Sequence, residues 1–170
     1  MELTFLGAVG TVTGSKFLLS INKRNILIDC GLFQGIKALR QRNWEPLPIP
    51  AKDIEAIILT HAHIDHSGYL PLLVKQGFQG KIHCSQGTYD LCQILLPDCG
   101  YLQEEEARHA NKHGYSKHAP ALPLYTRADA LDTFAFFVAH PVKKEIALSQ
   151  DIHFQLLPAG HIIGATTVEI

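Results

Sequence analysis

The run His61-Ala62-His63-Ile64-Asp65-His66 constrains this chain more than any other stretch. Three imidazoles and a carboxylate within six residues cost stability unless they share a task. The run begins where an apolar segment, Ala56 to Thr60, ends. That short β-branched segment reads as a buried strand. Ser67 to Gln76, apolar at Tyr69, Leu70, Leu72, Leu73 and Val74, reads as a helix. The cluster therefore falls on a strand-to-helix turn, where open α/β sheets gather functional groups over a rigid support. In extended geometry His61 and His63 point the same way and can meet one ion, while Asp65 and His66 follow one turn later and can face a second. Imidazole nitrogen and carboxylate oxygen both ligate zinc. The alternative is local: Asp65 or Ser67 acts as a helix N-cap.

Other motifs extend the pattern. His61 to Gly68 resembles the HxHxDH signature of the metallo-β-lactamase superfamily. Leu27-Ile28-Asp29-Cys30-Gly31, Phe33-Gln34-Gly35, Thr60 to His63 and Pro158-Ala159-Gly160-His161-Ile162-Ile163-Gly164-Ala165, in that order, resemble its β-CASP branch of RNA-processing nucleases. The resemblance implies an α/β fold, the αββα sandwich, and two zinc ions that hydrolyse RNA phosphodiesters. It implies His61, His63, Asp65, His66 and His161 as metal ligands, with Asp65 also orienting the nucleophile. Asp29, at a strand end, takes the role of a supporting carboxylate that fixes the metal-binding loop.

By the same resemblance, residues 1–170 are the N-terminal portion of a metallo-β-lactamase domain, cut within a strand over Ala165 to Ile170. A bridging aspartate, the β-CASP domain and the last metal histidine are then expected beyond it, and the piece alone is expected to be inactive. An uncovered sheet edge is expected to drive aggregation or a homodimer. Two other functions share the fold: hydrolysis of small thioesters, lactams or lactones, and a non-catalytic scaffold subunit.

Composition sets the bounds. The chain has 170 residues, 46% hydrophobic and 18% charged, enough for a sizeable core and too apolar for disorder. A formal net charge of −1 leaves no overall basic footprint for nucleic acid. Cys30, Cys84, Cys92 and Cys99 lack CxxC spacing and read as reduced core thiols. With no signal-peptide pattern and no membrane-spanning apolar run, a cytoplasmic protein without a membrane partner is expected.

Along the chain, Glu2 to Leu6 and Lys16 to Ile21 read as strands joined by a glycine-rich link, Gly7 to Ser15. The link lacks the Gly-Lys-Ser/Thr ending of a phosphate loop and reads as a hairpin connection. Asn25 to Asp29 reads as a strand, Gln34 to Arg42 as a helix closed by the Pro46, Pro48 and Pro50 run, and Lys81 to Ser85 as a strand. Gln86 to His113 reads as a long helix interrupted at Pro97. His109 and His113, four apart, could chelate zinc, or could complement the helix dipole before a Gly114 C-cap. Glu104, Glu105 and Glu106 read as a solvated face. Thr126 reads as the N-cap of a helix over Arg127 to Phe134. Glu145 to Leu148 and Asp151 to Leu157 read as paired strands with His153 facing out, and His83 and His140 have no partner identifiable from sequence.

Overall fold

Alternation within single strands decides the layers. In the hairpin of β2 (Phe17–Ile21) and β3 (Arg24–Ile28), Leu18 pairs with Leu27 and Leu19 with Ile26. Leu18 and Leu27 join one apolar cluster, Leu19 and Ile26 another, because successive side chains leave opposite faces of a strand. β4 (Ala56–Ile58) repeats this with Ile57 and Ile58. Both faces are covered, so these strands carry unbroken apolar runs.

A computed structural model describes residues 1–170. The first sheet has six strands in chain order: β1 (Glu2–Phe5), β2, β3, β4, β5 (Lys81–Ser85) and β6 (Phe137–His140). β1 to β3 are antiparallel, and β3 to β6 run parallel. The second sheet is antiparallel and holds β7 (Glu145–Ala147), β8 (His153–Pro158) and β9 (Thr166–Glu169). The helices are α1 (Lys37–Gln41), α2 (Ile64–Ser67), α3 (Leu70–Lys75), α4 (Gln86–His113) and α5 (Arg127–Asp132). Leu70 and Leu73 of α3, Cys92 and Leu96 of α4 and Ala130 of α5 pack on Leu18, Leu27 and Ile57. On the opposite face, Ile152 and the β8 residues Phe154 and Leu156 pack on Leu19, Ile26 and Ile58. Helices, first sheet and second sheet thus stack as the α, β and β layers of an αββα sandwich, the α/β class expected. No helix is long and apolar enough to cross a membrane.

Several elements depart from the sequence reading. The helix expected from Ser67 begins at Ile64 and breaks at Gly68 and Tyr69 before α3. Its N-cap is His63, with no side-chain capping bond, so neither Asp65 nor Ser67 caps it. The helix expected from Gln34 shortens to α1 followed by a 3-10 turn, Arg42–Trp44. α4 runs through Pro97 without a break. Proline removes one helical hydrogen bond at about 3 kcal/mol. Burial of Cys92, Leu96 and Pro97 itself offsets this at about 1.5–3 kcal/mol for a large apolar side chain. The helix after Thr126 ends at Asp132 and passes through a 3-10 turn, Thr133–Phe136, into β6, a strand absent from the sequence reading. Four residues pairing in parallel with a strand some fifty positions earlier leave no local pattern. Glu104 is not simply solvated, since its carboxylate accepts the Arg127 backbone N–H at 2.9 Å.

Candidate metal centre

The parallel strands end on one edge, and the chain releases its polar residues there. β3 runs into Asp29, β4 into Thr60 and His61, and β5 into Ser85. The β8–β9 connection of the second sheet folds over this edge. Thr166 N–H and its hydroxyl both donate to the Thr60 carbonyl, at 2.9 and 3.1 Å, tying the sheets together beside the cluster.

Asp29 organises the edge. It is 2% exposed and lies in the left-handed backbone region, φ 59°. One carboxylate oxygen accepts the Thr60 N–H at 2.8 Å. The other accepts the Thr60 hydroxyl at 3.0 Å, the Ser15 hydroxyl at 3.2 Å and His66 Nδ1–H at 2.7 Å. A hydroxyl has one proton, and Thr60 gives it to Asp29. The 2.9 Å contact between Thr60 Oγ1 and His61 Nδ1 must then be donated by the imidazole. One carboxylate thereby fixes the tautomers of two histidines and leaves Nε2 of each with a free lone pair.

Those lone pairs converge with others. His61 Nε2 lies 3.1 Å from His63 Nδ1, and His161 Nε2 lies 3.2 Å from the same atom. The three residues present ligand atoms all within 4.8 Å of one another. Three nitrogens this close cannot all be paired by protons among themselves, because His63 Nδ1 has one hydrogen at most. A shared cation satisfies all three. His61 is buried, and burial, with His66 beside it, pushes its pKa down to about 4, so it stays in the neutral form that ligation requires. For His66, burial is outweighed by the hydrogen bond and charge of Asp29 and by Asp65, which together raise its pKa. His66 Nε2 lies 3.7 Å from an Asp65 carboxylate oxygen, and the His61 and His66 rings are 4.0 Å apart. The structure thus gathers His61, His63 and His161 into one cluster and sets Asp65 and His66 as a pair beside it.

Residues to which the sequence reading gave no role of their own hold this arrangement. Gly31 sits so close to Asp65 that a Cβ there would meet its carbonyl oxygen at 1.6 Å. Lys16, buried beneath, donates to the Gly31 carbonyl and lies 4.7 and 4.5 Å from the ring centres of Phe33 and Tyr69. Its burial lowers its pKa to about 8. The His161 loop is latched at Gly164, whose carbonyl accepts the Ser85 and Thr88 hydroxyls at 2.5 and 2.9 Å. Ser15, Thr60 and Ser85 are short hydroxyls beside strand ends, a residue type too common to single out by sequence.

The other histidines fall elsewhere. His83 Nδ1 and His140 Nε2 lie 2.8 Å apart, with the two rings stacked on each other and each edge-on to Phe154. His109 bonds the Tyr115 hydroxyl at 3.1 Å, and the left-handed Gly114 C-cap follows His113 as expected. His153 is exposed beside Glu145. The four cysteines are free, and burial pushes the Cys30 thiol up to about 12.

An α/β/β sandwich with a histidine cluster on the edge where its parallel strands end defines a metallo-β-lactamase-fold protein. The chain belongs to the metallo-beta-lactamase superfamily, whose family pattern matches residues 9–96, and its relatives place it on the β-CASP branch. It is 39% identical to Ribonuclease TTHA0252 of Thermus thermophilus over 105 residues, 62% of this chain and 24% of that protein. It is 30% identical to the Transcription termination factor FttA of Cenarchaeum symbiosum over 97% of this chain and 24% of that protein. The chain spans about a quarter of the length of these relatives. Among solved structures, a metallo-beta-lactamase of Cronobacter sakazakii shares the fold with TM-score 0.52 at 21% identity, over 93% of this chain and 48% of that one.

Proposed function

We propose that the protein is a zinc-dependent hydrolase of RNA phosphodiester bonds, a β-CASP-type RNA-processing nuclease. Residues 1–170 would be the N-terminal portion of its metallo-β-lactamase domain, with the β-CASP domain elsewhere in the protein. The observation that carries this reading is the convergence of His61, His63 and His161 on one point, with the tautomer of His61 set by Asp29 through Thr60. A nitrogen-rich set suits zinc, and Asp65 with His66 would hold a second ion beside it. Zinc bound there supplies a Lewis acid for phosphoryl oxygens and activates a water.

This chain's residues do the rest. Asp65 orients the attacking water through a carboxylate oxygen. Asp29 holds His61 and His66 in their ligand tautomers throughout. The latched Gly160 to Gly164 loop presents His161 from the opposite sheet. Support for RNA comes from the names of the relatives, a ribonuclease and a transcription termination factor. Activity and substrate are therefore proposed for a protein of their length. Four free thiols, three of them buried, fit a reducing cytoplasm.

The test is RNA cleavage by the full-length protein, stripped by a chelator and then restored with zinc. Wild type is expected to regain activity, and His63→Ala to remain at least about 100-fold slower. Equal cleavage by His63→Ala in chelator-treated buffer would overturn the reading.

A further inference from the structure

A cavity of about 570 Å³ lies apart from the metal centre, in a groove beginning at Leu32 and Ile64, the latter between His63 and Asp65 in the chain. One wall is the segment 34–44 and the other is the end of α4 with the segment 115–124. Each wall is held by one asparagine clasping a backbone. Asn43 accepts from Phe33 N–H and donates to its carbonyl, both at 2.8 Å, and Asn111 does the same to Ala121 at 2.8 and 2.9 Å. The groove is preformed. Its rim carries exposed aromatics, with Trp44 and Tyr115 each 61% exposed.

Charge is distributed unevenly around it. Residues 34–44 hold Lys37, Arg40 and Arg42 and no carboxylate, and residues 107–124 hold Arg108, Lys112, Lys117 and three histidines, again with no carboxylate. Arg40 lines the groove, Lys37, Lys112 and Lys117 lie on the segments that wall it, and Arg42 turns instead to the Phe33 ring, 4.1 Å from its centre, in a chain of net charge −1. Glu106 is the one carboxylate on the lining, and Arg108 is paired with Glu105 at 2.6 Å. Whole-chain charge hides this local excess. Cations along a groove with aromatic faces at its rim are the combination that tracks a phosphate backbone while bases stack. An apolar protein segment would need the aromatics but not the cations.

We propose that this groove binds single-stranded RNA, with bases stacking on Trp44 and Tyr115 and phosphates facing Lys112, Lys117 and Arg40. It guides the strand toward the metal centre. The inference rests on the RNA reading above and adds where the strand runs.

Trp44 is the only tryptophan among these 170 residues, and its emission is isolated by difference from a Trp44→Phe variant. The experiment titrates the full-length protein, with Trp44→Phe as the blank and chelator present to prevent cleavage, against an oligouridylate of about 12 nucleotides. Trp44 emission is expected to quench saturably, and affinity to fall with salt by about 0.7 log units per log unit for each phosphate contact. The double variant Lys112→Glu/Lys117→Glu is expected to bind about tenfold or more weakly, and Tyr115→Ala about tenfold more weakly, both by anisotropy of a labelled oligonucleotide. Circular dichroism is expected to show both variants folded as wild type. Failure of Trp44 to quench, or wild-type affinity in the folded charge-reversal variant, overturns the proposal. So does quenching that follows protein concentration alone with a rise in sedimentation, which would make the groove a protein contact. Cobalt(II) absorbance, read in chelator-free buffer, separates the two readings. Metal uptake with unquenched Trp44 sinks the groove alone, and quenching without metal uptake sinks the metal centre alone.

Discussion

Two groups of close histidines, both carried at least in part by the first sheet, have opposite character. In the pair on β5 and β6, His83 and His140 stack with nitrogens 2.8 Å apart, no carboxylate behind them and Lys81 and Lys144 nearby. In the cluster at the strand ends, nitrogens of His61, His63 and His161 lie 3.1 and 3.2 Å apart, but Asp29 stands behind and, through Thr60, aims the His61 lone pair inward. The difference teaches that proximity of imidazoles does not make a metal site. A buried acceptor that fixes tautomers does, and a lysine beside the pair works against a cation.

The largest effect is expected where that acceptor is removed. Asp29→Ala leaves the Thr60 N–H, the Ser15 hydroxyl and His66 Nδ1–H without their partner. Losing a buried carboxylate that accepts several hydrogen bonds costs about 3–5 kcal/mol. Zinc affinity, read by calorimetry, should fall by about 10–100-fold. Asp29→Asn should recover much of the stability and little of the affinity, because an amide nitrogen cannot accept. Wild-type zinc affinity in both variants would erase the contrast between the two groups.

Next in size is the latch that brings His161 across. Gly164 has φ 78°, and a Cβ there would meet Thr88 N at 2.1 Å. Gly164→Ala is expected to cost about 2–3 kcal/mol in denaturant unfolding and to weaken zinc binding. His61 and His63 come with the first sheet, whereas His161 depends on this loop. If Gly164→Ala bound zinc as wild type, His161 would not be part of the centre.

The pair on β5 and β6 makes its own prediction. Burial, then His140 and Lys81, pushes His83 down to about 4, and His140 is lowered by burial and Lys144. Between about pH 6.5 and 4 the unfolded chain takes up protons that the folded pair refuses, so stability present above pH 6.5 is lost as pH falls. A shift of this size corresponds to about 3 kcal/mol, reduced to about 1–2 kcal/mol for a half-buried pair in contact with solvent. His83→Leu should flatten the slope of stability against pH over that window and leave zinc affinity unchanged. A slope unchanged in the variant would assign the acid sensitivity to other groups.

The first sheet and much of the centre were legible because their signals are local. An apolar run ending in His61 to His66 announces a strand, a turn and a donor cluster within about ten positions, and Asp29 stands at a strand end of the same kind. What stayed hidden is what depends on distant pairing. β6, the His83 and His140 contact, Lys16 under the Gly31 loop and the Ser85 latch each join residues that only the folded chain brings together. The basic groove escaped for a related reason, since its cations come from two separated stretches and vanish in a net charge of −1.

The smallest effect is expected at the spacing that most resembles a chelate on paper. His109 and His113 lie four apart on α4 with ring centres 4.3 Å apart, yet no carboxylate orients them and His109 is engaged with Tyr115. His109→Ala/His113→Ala should leave the zinc stoichiometry of the chain unchanged, by calorimetry. Stability should move by less than about 0.5 kcal/mol per residue, the usual range for exposed positions. A lost zinc equivalent would show that helical spacing can hold an ion without a supporting carboxylate, and would break the distinction drawn between the first two groups.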